Sequence, residues 1–282
     1  MFPNVMGRVA PALLTVALLL GGCTYPSAEK EFATNVTKPE QELPAAGPVA
    51  AERLKQAIEK AETHPDAQKF WYTGYVRNTI LSRTTTSMFD GVVVKPDGYL
   101  VNARIAAKPY QYYRSKDKTY LRNGDYWITA QDQQLPFDVW KGYDDWLPFL
   151  DKAVQLPDEE IMGKLCTPYQ IKISGEEWLK NSNSDLFASL KKEIEGRADI
   201  QDLLKQSTIK MTVWISNEEK PQPGVEKKKD DSNLIFQYHT WIIIPLPGAG
   251  YMDQDVKYTF FKYNDPGIKL PALEEVEKYL LY

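Results

Sequence analysis

The residues that could do acid, base, nucleophilic or metal chemistry are few in this chain of 282 residues. It contains two histidines, His64 and His239, and two cysteines, Cys23 and Cys166. None of the spacings that build a zinc site, a redox pair, a hydrolase elbow or a phosphate loop occurs. His239 falls inside a strand pattern, which favours a hydrogen-bonded sheet residue over a general base. The sequence therefore predicts no catalytic residue, no metal ligand and no cofactor, and it predicts that Cys166 is a buried or half-buried thiol.

Cys23 is the one residue for which the sequence predicts a modification. An apolar run from Val9 to Leu20 follows the single charge of Arg8 and is too short for a stable membrane span. The run ends in Leu20-Gly21-Gly22-Cys23, which resembles the lipobox of bacterial lipoprotein signal peptides. That resemblance implies cleavage before Cys23, a diacylglyceryl group such as palmitate on its sulfur, and an extracytoplasmic position. The anchored face would be the outer face of the cytoplasmic membrane or the periplasmic side of an envelope. The alternative is an uncleaved anchor with an incidental cysteine.

The composition divides the chain into three segments. Residues 1–22 form the signal peptide, residues 23–48 a lipidated and disordered tether rich in Pro, Ala and Glu, and residues 49–282 a single folded domain. The full chain has a net charge of −4, and removal of Arg8 with the signal peptide makes it more negative. This charge disfavours nucleic acid and anionic lipid headgroups as partners.

The stretch from Phe70 to Ala130 predicts a strongly curved, antiparallel sheet. Apolar and polar residues alternate from Tyr99 to Ile105, which is typical of a strand with one covered face. Turn residues at Lys95-Pro96-Asp97-Gly98 and at Asn123-Gly124 predict hairpins, so the strands should form a meander. From Phe70 to Leu81, apolar residues occur at both even and odd positions. Both faces of this strand should therefore contact apolar groups.

The rest of the chain predicts helices that cover this sheet and further strands that extend it, an α+β fold. The predicted helices are Ala50 to Thr63, with Leu54, Ile58 and Ala61 on one stripe, Tyr143 to Val154, Ser184 to Gln206 with a break at Gly196, and Leu273 to Leu281. The predicted strands are Tyr169 to Ser174, Ile209 to Ile215, Leu234 to Ile244 and Val256 to Phe260.

Aromatic residues are the positive signal for a binding site, since the chain has seven Trp and seventeen Tyr. Such side chains suit the mouth of a lipid cavity or an interface, because they combine a large apolar area with a polar tip. From strand parity, we predict the following cavity-lining residues: Trp71, Tyr99, Val101, Tyr112, Val213, Phe236 and Phe260. The alternative is a dry sandwich core that is wetted only at its edges.

Several segments together resemble the LolA-like superfamily of bacterial lipoproteins, which includes mycobacterial lipid-transporting members and the outer-membrane lipoprotein carriers. The segments are Tyr75-Val76-Arg77, the run from Phe89 to Tyr99, the strand Met211 to Ile215, and Tyr258 to Tyr263 followed by Asn264-Asp265-Pro266. The resemblance implies an unclosed half-barrel whose concave face is covered by helices and binds acyl chains or a lipidated partner. This chain departs from the soluble carriers by keeping its own anchor, which favours a fixed receptor over a shuttle.

These observations lead to a membrane-anchored lipoprotein that binds a lipid or acyl chain for envelope lipid or lipoprotein handling. The alternative is a sensor or docking module that binds an envelope regulatory protein on its rim, with the polar loop Asn217 to Ser232 as a natural contact. A third interpretation, an enzyme acting on envelope glycans or lipids, is disfavoured because the nucleophile and metal motifs are missing.

Overall fold

A computed structural model of the chain describes residues 45–280 apart from 81–82, 97, 106, 131–143, 182–197, 218–232, 247 and 249. Cys23, the signal peptide and nearly all of the tether therefore lie outside the described residues, as do most of the Asn217 to Ser232 loop and the predicted break at Gly196. In the described parts of the chain, we find no helix with the length and apolar character that a membrane crossing requires.

Twelve antiparallel strands form one sheet. The strands are β1 Lys69–Ile80, β2 Arg83–Val94, β3 Gly98–Ile105, β4 Lys108–Ser115, β5 Lys118–Asn123, β6 Tyr126–Thr129, β7 Val154–Gln155, β8 Glu159–Ile161, β9 Lys164–Ser174, β10 Thr208–Ser216, β11 Ile235–Leu246 and β12 Gly250–Phe261. The helices are α1 Pro48–Thr63, α2 Gly175–Asn181, α3 Ala198–Gln206 and α4 Leu273–Glu277, with 3₁₀ helices at Pro65–Ala67 and Asp144–Lys152.

The strand order is β6-β5-β4-β3-β2-β1-β12-β11-β10-β9-β7, with β8 also paired to β9. The sheet does not close, because β6 and β7 lie at opposite ends of this order. The predicted meander occupies one half, and β12 pairs with β1 to join it to the C-terminal strands. The predicted α+β fold, an unclosed antiparallel half-barrel covered by helices, is confirmed.

The core lies between the concave face of the sheet and helix α1. Concave-face residues such as Tyr72, Val101 and Met211 belong to the same buried cluster as the apolar stripe of α1, which consists of Ala50, Leu54, Ala57, Ile58 and Ala61. The predicted stripe Leu54, Ile58 and Ala61 is thus confirmed. The helix begins at Pro48, a position where proline is favoured because the first helical N–H groups have no intrahelical partner.

Lys95 fixes the C-terminal end of α1 to the sheet. Its ammonium group donates to the carbonyl oxygen of Ala61 and lies 5.8 Å from the ring centroid of Phe70. Burial lowers the pKa of Lys95 to about 8. A cation at this end of a helix is favourable because the last carbonyl groups have no intrahelical donors.

The prediction of an α-helix from Tyr143 to Val154 is wrong. The segment forms a 3₁₀ helix, Asp144–Lys152, and Val154 opens strand β7. Pro148 lies inside this helix and lacks the N–H that an α-helical turn would use. With three residues per turn, Trp146 and Phe149 share one side, and both are buried. Trp146 also stacks on Trp178 of α2, with ring centroids 6.3 Å apart.

Other predicted boundaries differ from the structure or lie outside the described residues. The strand predicted from Tyr169 begins earlier, at Lys164, because residues 164–168 continue the pairing with β8 and β10. Of the helix predicted from Ser184 to Gln206, only α3 falls within the described residues. Helix α4 ends at Glu277, and Leu280 then forms a parallel bridge with Trp127. This C-terminal segment buries Tyr113, Tyr120, Trp127 and Val276 on the convex face.

Candidate functional site

Strand pairing brings five of the seven predicted lining residues onto the concave face. Phe260 lies opposite Tyr72, and Val101 lies opposite Tyr112. Gly91 pairs with both Tyr72 and Val101, so these positions form one row across β12, β1, β2, β3 and β4. Tyr99 lies two residues before Val101 on the same strand face. Val213 is part of the neighbouring row, opposite Tyr238.

Trp71 and Phe236 do not join this group. Trp71 has the opposite parity from Tyr72, so it lies on the convex face, where 36% of its surface is exposed. The ammonium group of Lys262 lies 5.7 Å from its ring. Phe236 is buried, but it lies where the β10–β11 register shifts, and it is not part of the main core cluster. The prediction that Trp71 lines the concave face is therefore corrected, whereas the role of Phe236 stays a prediction.

Half-buried apolar side chains extend the concave face beyond the buried core. We define the concave apolar surface by seven of them: Val76, Ile105, Tyr110, Leu121, Tyr238, Ile244 and Val256. They pack against the core cluster and are partly exposed. Sequence reasoning did not select them, although strand parity places them with Tyr99 and Val101. The sequence does not indicate which part of the concave face the helices cover. That cover determines which concave-face residues stay accessible.

Tyrosine rings form the centre of this surface. The ring of Tyr258 stacks on that of Tyr238, with centroids 6.4 Å apart and an interplanar angle of 9°. It also meets Tyr72 edge to face at 6.2 Å. Burial, and next the neighbouring Tyr238, raise the pKa of Tyr258. The phenol of Tyr258 therefore stays neutral at physiological pH.

The hydroxyl of Thr240 is a polar group within this apolar region. Thr240 lies on the concave face between Met211 and Val256, and 6% of its surface is exposed. Its Oγ1 atom has no hydrogen-bond partner among the described residues. A buried hydroxyl without a partner costs free energy, so this group is available to a polar atom of a bound molecule.

We expect Thr240→Val to raise the free energy of unfolding by about 1 kcal/mol, because the substitution removes an unsatisfied hydroxyl at nearly constant volume. Urea unfolding of the ligand-free protein measures this. Thr240→Ser is the matched control, since it keeps the hydroxyl, loses the methyl group and should be less stable. A valine variant that is less stable than wild type would mean that the hydroxyl has a partner.

A charged network lies on the opposite, convex face. Asp255 is 5% exposed and accepts hydrogen bonds from Arg77 and from the ring of His239, the latter at 2.8 Å. Burial alone would raise the pKa of Asp255, but the hydrogen bond and charge of His239 and the charge of Arg77 outweigh it and lower the pKa. The prediction that His239 is a hydrogen-bonded sheet residue is confirmed.

Cys166 is a free thiol with no exposed surface, as predicted. Burial raises its pKa to about 11, so the thiol stays protonated and is a poor nucleophile. Within the described residues, no three His, Cys, Asp or Glu side chains converge on a point that could hold a metal ion. The concave apolar surface differs from these groups, because its seven half-buried side chains are uncharged.

No family model and no curated protein matches this chain. Among solved structures, it is similar to LprF from Mycobacterium bovis, with 10% identity, a TM-score of 0.42 and coverage of 81% of this chain and 99% of that one. It is similar to the lipoprotein LppX from Mycobacterium tuberculosis, with 15% identity, a TM-score of 0.43 and coverage of 79% and 99%. A LolA superfamily protein from Nitrosomonas europaea matches with 11% identity, a TM-score of 0.30 and coverage of 79% and 94%.

Proposed function

We propose that this protein is a non-catalytic lipoprotein, anchored through Cys23, that binds an acyl lipid on the concave face of its sheet. The observation that carries the proposal is the concave apolar surface, whose seven half-buried side chains continue the buried core. None of the seven is charged, and two are tyrosines. Such a surface favours a hydrocarbon chain whose polar end contacts phenol or threonine hydroxyl groups.

The width of the concave face, measured through its buried core between the half-buried Tyr238 and Tyr110, would accommodate an acyl chain. The row from Tyr238 on β11 to Tyr110 on β4 crosses six adjacent strands through Tyr258, Gly74, Phe89 and Ala103. At about 4.8 Å per strand, five spacings give about 24 Å before curvature is taken into account. One acyl chain spans half of a bilayer core, about 15 Å. Each buried methylene group would contribute about 0.8 kcal/mol, so a single chain supplies ample binding free energy.

One end of the concave apolar surface is polar. Beyond Val76 and Val256, the next concave-face pair on β1 and β12 is Asn78 and Gln254, whose amide groups form a hydrogen bond of 2.9 Å. An uncharged amide pair at the end of an apolar surface can contact an ester or a sugar. This favours a lipid whose polar group lies near the tips of the β1–β2 and β11–β12 hairpins.

Native mass spectrometry tests the proposal on protein that starts at residue 24 and is purified from a bacterial host. We expect an extra mass of one acyl lipid that is lost on organic extraction. Val76→Asp places a charge on the concave apolar surface and should reduce the loaded fraction at least tenfold. Met88→Asp is the matched control, because Met88 is 56% exposed and lies on the convex face. It should keep the full load.

An empty wild-type protein, or an undiminished load in Val76→Asp, would contradict lipid binding and leave the docking module as the better interpretation. The anchor has a separate test. Radiolabelled palmitate should label the wild-type protein in cells and should not label Cys23→Ala. Labelling of the alanine variant would contradict the assignment of Cys23 as the lipidated residue.

A further inference from the structure

The first part of strand β2 is paired on one side only. β1 pairs with β2 along its whole length, from Ile80 opposite Arg83 to Lys69 opposite Val94. β3 pairs with β2 only from Met88 onward, and it ends at Ile105. Among the described strands, Arg83–Ser87 thus has a free edge in the middle of the sheet order. The side chains from Arg83 to Thr86 are exposed on both faces.

The alternating hydrogen-bond pattern of the β1–β2 ladder identifies the backbone groups of β2 that point outward at this edge. Two residues separate the paired positions Ile80 and Arg83, so these two form the hydrogen-bonded pair next to the turn. Along an antiparallel ladder, residues that bond to the partner strand alternate with residues that do not. The N–H and C=O groups of Thr84 and Thr86 therefore point away from β1. The same alternation gives Met88 and Asp90 as residues that face β3, and the pairing with β3 begins at Met88. The free edge therefore offers two donors and two acceptors at the spacing of a strand.

Between Thr84 and Ser87 the strand itself carries none of the charged or proline residues that usually protect an exposed edge. Thr84, Thr85, Thr86 and Ser87 include no lysine or proline, and threonine favours extended backbone. Among the described residues, the side chain of Thr84 forms a hydrogen bond only with Thr79 of β1. The edge is thus open to a strand from another chain.

Three exposed cations surround this edge. Arg83 begins it, Arg104 lies opposite Met88 where β3 stops, and Lys108 lies opposite Ile105 across the β3–β4 turn. In the described part of the chain, none of them takes part in an ion pair. Asp90, the only acid in β2, already accepts a hydrogen bond from Asn102. The local charge is therefore positive, although the protein as a whole is acidic.

We propose that the Arg83–Ser87 edge binds an extended acidic peptide segment of a partner protein by β-strand addition. Backbone hydrogen bonds to Thr84 and Thr86 would supply the affinity, and Arg83, Arg104 and Lys108 would select acidic side chains. A second copy of this chain fits less well, because antiparallel self-pairing would bring Arg83 of one copy towards Arg104 of the other. The proposal does not depend on lipid binding.

Fluorescence polarisation with a labelled hexapeptide, Glu-Thr-Val-Glu-Val-Glu, tests this on the chain from residue 24. We expect saturable binding that weakens as salt is raised, and at least tenfold weaker binding of the peptide in which lysine replaces each glutamate. Thr86→Pro removes an outward N–H that β1 does not use, so it should reduce affinity at least tenfold while the fold persists. Thr86→Val is the matched control and should bind like wild type.

Charge-reversal variants and hydrogen exchange of backbone amides distinguish binding at this edge from nonspecific electrostatic attraction. Arg104→Glu and Lys108→Glu should each weaken binding about tenfold. Lys269→Glu is the control and should leave peptide binding unchanged. Its neighbour Leu270 lies beside Gly98, at the end of β3 opposite to Arg104. Bound peptide should slow hydrogen exchange of the Thr84 and Thr86 amides. Absence of acidic-peptide binding, equal affinity in Thr86→Pro with an intact melting curve, or protection confined to other amides would each overturn the proposal.

Discussion

Gly74→Ala is expected to lower the free energy of unfolding by about 2 kcal/mol, because a methyl group at this position meets atoms that cannot all move away. An added Cβ would lie 2.3 Å from Cδ1 of Tyr258 and 2.5 Å from the carbonyl oxygen of Lys257. The second contact is to the backbone of the paired strand β12. Gly74 is therefore a close-approach position, and its missing side chain is what lets the ring of Tyr258 lie across β1.

The effect should reach the proposed ligand surface as well as the stability. Tyr258 contacts both Tyr72 and Tyr238, so its displacement would disturb the centre of the concave face. For a domain of this size, about 2 kcal/mol corresponds to a fall in melting temperature of roughly 6 °C. Circular dichroism measures this fall, and native mass spectrometry should show a smaller lipid load.

Gly47→Ala provides the control for Gly74→Ala. A Cβ at Gly47 meets nothing within 4 Å, and its backbone is extended. The loss of a glycine at the start of α1 should cost less than about 1 kcal/mol. If the two variants lose equal stability, the contact with Tyr258 does not explain the effect, and the close-approach assignment of Gly74 is wrong.

Local features of the fold could be predicted from the sequence because their causes are local. Asn123-Gly124 predicted a hairpin, and Asn123 pairs with Tyr126 across a turn in which Gly124 has φ 62°. The stripe Leu54, Ile58 and Ala61 predicted the buried side of α1, since a helix has a fixed period. In each case neighbouring residues carry the whole signal.

The candidate site could be predicted only in part, because its geometry depends on contacts between distant segments. β1 is apolar on both parities, with Phe70 and Tyr72 on one face and Trp71 on the other, so alternation alone cannot say which face the helices cover. The partner of β1 is β12, which lies almost two hundred residues later in the chain. The accessible part of the concave face likewise depends on where the helical cover ends, which no local pattern specifies.

Asp255→Asn should lower the free energy of unfolding by about 2 kcal/mol at pH 7, because it leaves Arg77 and His239 without the carboxylate that they share. The cost stays below that of a fully buried ion pair, since the side chain of Arg77 is 46% exposed and water compensates part of its charge. Asp66→Asn is the matched control. Asp66 also lies beside a histidine, His64, but both side chains are more than 40% exposed, so the expected change is near zero.

The difference between wild type and Asp255→Asn should depend on pH with a defined sign. The pKa of Asp255 in the folded protein lies below its ordinary value of 3.8, so the carboxylate stabilises the fold above that value. This stabilisation is lost as the pH falls below 3.8 and through the lower folded pKa. Urea unfolding from pH 7 down to about pH 2 should therefore show the two curves converging at the acid end. A difference that stays constant, or grows as the pH falls, would show that the ionised carboxylate of Asp255 is not the source of the stability.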